Sequence, residues 1–136
     1  MNTYAYIDEK QMLENVVHQG KMFGLPELPV PKISHWVQEN DSIEIDEMTF
    51  SVIHTPGHSL GGCCYLLDSQ IFVGDTLFES SIGRTDLPGG DYNQLIQIIK
   101  TKLFTLPENI IVYPGHGDKT TISHEMKYNP FLRGKL

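Results

Sequence analysis

Apolar positions along the chain fall into two rhythms, and together they predict short strands with helices between them. Residues 3–7, TYAYI, alternate and predict a strand. Asp8 follows as a helix cap with Gln11 as its capping-box partner, and Met12, Leu13, Val16 and Val17 give that helix an apolar face. Gly20 and Gly24 offer stops, and residues 25–32, LPELPVPK, form a proline-rich extended linker. Strands are predicted at 42–45 and 49–53, turning at Asp46-Glu47, and at 63–67 and 71–73, turning at Asp68-Ser69. Residues 74–90 read as a long glycine-rich loop, a length at which loops are often functional. Asp91 then caps the clearest helix, with Gln94 completing its box and Tyr92, Leu95, Ile96, Ile99 and Leu103 on one face. A last strand is predicted at 110–113 and a last short helix at 123–128.

Composition narrows the function classes. The 136 residues suit one domain, 40% hydrophobic and 20% charged, as in a soluble globular protein. Seventeen acidic residues against ten basic ones give a net charge of −7, which argues against nucleic acid or an anionic membrane as partner. No apolar run is long enough to span a bilayer. The opening MNTYAYIDEK lacks the basic and apolar regions of a signal peptide. Cys63 and Cys64 are adjacent in a strand, so their side chains point to opposite faces and read as small buried hydrophobes. The expectation is a cytoplasmic protein.

The tripeptide Pro-Gly-His occurs twice, at 56–58 and 114–116, each time just beyond a predicted strand. Proline stops the strand, glycine allows a sharp reversal, and the histidine is presented by backbone rather than by a floppy loop. Asp75 follows Gly74 at a third strand end. A metal centre needs imidazole held within a few tenths of an ångström, and a carboxylate can bridge two ions. Alone, each histidine reads as an ordinary loop residue and Gly-Asp as an ordinary turn. Together, His58, Asp75 and His116 point to a metal site.

At these residues the chain resembles the metallo-β-lactamase-fold hydrolases, specifically their short glyoxalase II-like, or hydroxyacylglutathione hydrolase-like, branch. The matching segments are HTPGHS (54–59), GDTLF (74–78), GRTDL with GGDY (83–92), YPGHG (113–117) and NPFL (129–132). Leu60 stands where the branch often has proline. The resemblance implies an α/β fold, part of an αββα sandwich. It implies that His58 binds a first metal, that His116 binds a second, and that Asp75 bridges them as the catalytic carboxylate. Arg84 could orient a carboxylate-bearing substrate or anchor its loop. His54 is expected to pack or support the site rather than ligate, and His18, His35 and His124 match no ligand motif.

The family's four other ligands come from an HxHxDH motif, and no two histidines here are separated by a single residue. The chain therefore reads as a single domain, residues 1–136, lacking the family's N-terminal portion. The resemblance implies zinc, two ions in the family and at most one weakly held here, with iron or manganese as alternatives. The implied reaction is hydrolysis of a small-molecule thioester, of acyl-glutathione type, by metal-bound hydroxide. Two other readings stay open. One is a persulfide dioxygenase-like enzyme, which shares the GRTD loop. The other is a catalytically incompetent fragment acting as an interaction module. An uncovered sheet face would lead to self-association or to binding of a complementing N-terminal half.

Overall fold

A computed structural model describes residues 4–10 and 33–132. The helix expected after Asp8, the linker and His18 lie outside these residues, apart from the start of the segment. There Ile7–Glu9 form a single 3₁₀ turn with Asp8 inside it, so Asp8 does not act as the cap.

Ten strands lie among the described residues: β1 (Tyr4–Tyr6), β2 (His35–Val37), β3 (Ser42–Ile45), β4 (Met48–His54), β5 (Cys63–Leu67), β6 (Gln70–Gly74), β7 (Leu77–Phe78), β8 (Ser81–Ile82), β9 (Ile111–Pro114) and β10 (Thr120–Thr121). Two α-helices accompany them, α1 (Tyr92–Ile98), which runs into a π-helical turn at Ile99–Leu103, and α2 (Ile122–Tyr128). Six strands form the main sheet in the order β10-β9-β6-β5-β4-β3. β1 and β2 form a separate parallel pair.

Strands β3 to β6 are an antiparallel meander in which tight turns join β3 to β4 and β5 to β6, while residues 55–62 form a longer loop between β4 and β5. Ile45 pairs with Met48 and Leu67 with Gln70, and Asp46 and Asp68 take the left-handed backbone that such turns require. β6 then pairs in parallel with β9, which forces a long crossover that carries β7, β8 and α1. The predicted loop is thus partly structured, because Leu77 and Phe78 pair with Ile82 and Ser81.

Alternation along the strands separates two faces. One carries Cys64, Ile71, Val73 and Val112 and is covered by Leu95, Ile99 and Leu103 of the α1 segment and Ile122 of α2. The residues of α1 and its π turn recur every fourth position and are fully buried. Tyr92, also predicted on that face, is instead half exposed. Asp91 caps α1 by accepting from the Gln94 N–H at 3.0 Å, but its own N–H donates to the Gly57 carbonyl, so the capping box is only half made.

The other face is aromatic. Val37, Ile43, Val52 and Tyr6 make a small cluster where β1 and β2 cover one end. Beyond it, Phe72 stacks on Tyr113 at 5.3 Å and meets Phe50 at 6.1 Å. Tyr4, Ile43, Ile45, Phe50, Tyr65 and Phe72 line a shallow groove of about 380 Å³ there. No helix among the described residues is long and apolar enough to cross a membrane.

Both cysteines are free, and their side chains belong to opposite faces as the strand period requires. Burial pushes the Cys64 thiol up to about 12 and raises that of Cys63. Since only the thiolate reacts, Cys64 in the native protein at pH 8 should alkylate at least about a hundredfold more slowly than in denaturant. Mass-spectrometric counting of iodoacetamide adducts checks this, and rapid native labelling of Cys64 would contradict it.

Candidate metal centre

The strand directions bring the predicted residues together. β4 and β6 both run antiparallel to β5, and β6 runs parallel to β9. The ends at His54, Gly74 and Pro114 therefore lie at the same end of the sheet. Two buried hydroxyls lock the first two exits, with Thr55 Oγ1 3.1 Å from Thr76 Oγ1. The Gly115 N–H donates to the Gly74 carbonyl at 2.8 Å and locks the third.

Beyond β4, the first Pro-Gly-His turn behaves as its sequence suggests. Gly57 has φ +137° and packs so closely on α1 that a Cβ there would sit 2.5 Å from the Leu95 Cβ. The second does not. Gly115 is not among the positive-φ glycines, and the reversal falls to Gly117 at φ +78°. Gly115 matters for a different reason: a Cβ on it would meet Asp75 Oδ1 at 3.0 Å. The register of β6 against β9 shifts between Phe72 and Gly74, and Gly74 has φ +54°, re-aiming the chain just before Asp75.

His58, Asp75 and His116 converge. His58 Nε2 lies 3.7 Å from Asp75 Oδ2, and His116 Nε2 lies 3.4 Å from Asp75 Oδ1. Each carboxylate oxygen thus faces a different imidazole. His58 Nδ1 is 2.8 Å from the Arg84 carbonyl, which can only accept, so this nitrogen carries the proton and Nε2 of the neutral ring keeps its lone pair toward Asp75. These gaps are long for hydrogen bonds. They match the separation of two donors about a tetrahedral ion, roughly 3.3 Å for bonds near 2.05 Å. Among the described residues, no three of His, Cys, Asp and Glu group around one ion. The donors form two pairs sharing Asp75.

The site is open on the His116 side. The His116 side chain is 80% exposed, Asp75 42% and His58 26%. Phe78, Glu79, Ser81, His116, Gly117 and Asp118 line a polar depression of about 460 Å³ beside it. Phe78 stacks on His116 at 6.2 Å.

The remaining candidates lie elsewhere. The Arg84 guanidinium is held by Asp86 in a two-pronged pair at 2.8 and 2.9 Å, which keeps the Asp86 carboxyl below its usual range. Arg84 thus meets the site through its carbonyl, a contact no side-chain reading of the sequence would find. His54 stacks on Tyr6 at 4.0 Å and places Nε2 2.8 Å from the Leu60 carbonyl, away from Asp75. His35 stacks on Tyr4, and His124 lies against Tyr128.

Comparison with known proteins yields one family. The profile of the metallo-beta-lactamase superfamily matches residues 3–116. The hydroxyacylglutathione hydrolase GloC of Haemophilus influenzae is 40% identical over 130 residues, covering 93% of this chain and 61% of that protein. Among solved structures, the BLEG-1 B3 metallo-beta-lactamase superposes with a TM-score of 0.84 at 40% identity, over 98% of this chain and 66% of that one. TTHA1623 in a di-iron-bound form superposes with a TM-score of 0.77 at 34% identity, over 97% and 65%. The chain thus spans less than two thirds of the length of each of these proteins.

Because Gly57 combines a left-handed backbone with contact against α1, Gly57→Ala should destabilise the fold by at least about 1–3 kcal/mol. It should also displace the His58 ring. Urea unfolding and the His58 imidazole NMR signals read the two effects, and an unchanged midpoint would contradict the strained packing.

Proposed function

We propose a function for a chain that belongs to the metallo-beta-lactamase superfamily: metal-dependent hydrolysis of a thioester of the acyl-glutathione type. A family of metallo-hydrolases supplies the reaction class. The GloC relative, a hydroxyacylglutathione hydrolase by name, suggests the substrate. The observation that carries the reading is the shared carboxylate, with His58 on one oxygen of Asp75 and His116 on the other.

In this reading His58 and Asp75 hold one ion, His116 and Asp75 hold a second, and Asp75 lies between. Zinc suits the imidazole and carboxylate donors, and iron is the alternative suggested by the di-iron form of TTHA1623. When bound, such ions activate water and polarise the substrate carbonyl. The chain's own residues do the rest. The Arg84 carbonyl keeps the His58 ring in its metal-binding tautomer. Phe78 lies beside the exposed His116 ring and offers it a stacking partner. The depression beside His116 leaves room for the substrate. Two unbridged cysteines agree with a cytoplasmic setting.

Three side chains cannot saturate two ions that each take four or more ligands. The reading therefore needs further ligands of the HxHxDH type, and the aromatic groove over Phe50, Tyr65 and Phe72 is an apolar surface on which a complementing segment could pack. Without it, the same face drives self-association.

Two experiments test this. The purified 136-residue chain with added zinc, iron or manganese should hydrolyse S-lactoylglutathione negligibly, and monomer turnover near 10 s⁻¹ would overturn the need for further ligands. Zinc should still bind weakly, with His58→Ala, Asp75→Ala and His116→Ala each abolishing binding and His124→Ala leaving it unchanged by calorimetry. Independently, light scattering should find the chain associated or binding a hydrophobic dye, because soluble monomers rarely expose a broad apolar face. A clean monomer that excludes the dye would show that face to be covered already.

A further inference from the structure

Glu125 is a fully buried carboxylate that the proposed chemistry does not use. Burying a charge is costly unless it is well hydrogen-bonded. Here three neutral donors converge on it: the Ser80 N–H at 2.9 Å, the Thr120 hydroxyl at 2.6 Å and the Asn129 amide at 2.8 Å. They come from the β7–β8 turn, from β10 and from the end of α2, so the carboxylate ties the distant β7–β8 turn to its own helix and to the strand just before it. Asn129, also fully buried, donates to the Ser81 carbonyl at 3.0 Å and accepts from the Phe131 N–H at 3.0 Å. The NPFL motif thus earns its asparagine by gripping the same turn.

That turn is where the two imidazoles are governed. Ser80 takes a left-handed backbone, φ +61°, which a bond to its N–H helps to hold. On one side of the turn is Phe78, stacked on His116. On the other, the chain passes Gly83, pressed against the Asp75 carbonyl, to Arg84, whose own carbonyl fixes His58. Thr120 closes the circuit, because β10 is the strand that follows the His116 loop.

We propose that Glu125, gripping the β7–β8 turn together with Asn129, is a positioning residue that sets the orientation of both His58 and His116. It touches neither ring, and acts through Ser80, Ser81 and the hairpin. The proposal deepens the metal reading, yet its main test does not depend on metal.

The experiment compares the wild-type chain with Glu125→Leu by imidazole ¹⁵N–¹H correlation spectra without metal, then by zinc calorimetry. The substitution is close in size and removes the acceptor for the Ser80 N–H, the Thr120 hydroxyl and the Asn129 amide, so the turn loses its grip. The His58 and His116 ring signals should shift or broaden while those of His35, on β2, stay in place. Zinc affinity should fall about 10- to 100-fold, the range seen when groups supporting metal ligands are lost. A folded variant with both ring signals unchanged would overturn the proposal. So would equal displacement of His35, which would assign Glu125 to general stability. If Glu125→Leu does not fold, Asn129→Ala removes the grip on Ser81 and leaves the carboxylate, and the same three rings decide. If the wild type itself binds no zinc, the metal reading fails while the metal-free spectra still decide the role of Glu125.

Discussion

Everything at the site depends on one directional constraint: β4, β6 and β9 all run the same way. Two strands of the meander are parallel only because β5 lies between them, and β9 is parallel to β6 only because the chain crosses over through α1. Had β9 returned through a tight turn, His116 would have emerged at the far end of the sheet from Asp75. The Thr55–Thr76 hydroxyl pair and the Gly115–Gly74 backbone bond then convert a shared sheet end into fixed separations. Buried hydroxyls bonded to each other, beneath the site, are a stiff way to do this, because breaking them leaves polar groups without water.

The sheet itself is asymmetric. Its helix-covered face holds the larger apolar cluster, in which most members are fully buried. Its aromatic face is only partly closed by β1 and β2. The exposure of the three site residues rises from His58, whose turn packs on α1 through Gly57, to His116 at the open rim.

Much of this was legible in the sequence, for reasons that can be named. Asp46 and Asp68 announced two-residue turns because few other residues tolerate a left-handed backbone, and both hairpins formed there. Leu95, Ile99 and Leu103 announced α1 by their spacing. The strand ends placed His58, Asp75 and His116 together. What stayed hidden was either short or non-local. β2 spans His35–Val37 and exists only through pairing with β1, across a long sequence gap. The β7–β8 hairpin sits in a stretch whose glycines and serines read as loop. Identical tripeptides misled as well: Gly57 is there for its φ and its missing Cβ together and Gly115 for its missing Cβ alone, and the letters do not distinguish the two. Glu125 carries no motif or spacing that marks it, since its distant partner Ser80 is set by tertiary structure alone.

The walls around Asp75 are peptide rather than side chain. A Cβ at Gly83 would lie 1.8 Å from the Asp75 carbonyl oxygen, and one at Gly115 would crowd the carboxylate itself. Neither position can be used to reshape the room around the carboxylate, because no larger residue fits. Room for substitution lies instead at the rim, where the side chains of Glu79 and Asp118 stand in solvent and can change size or charge without meeting the Asp75 backbone.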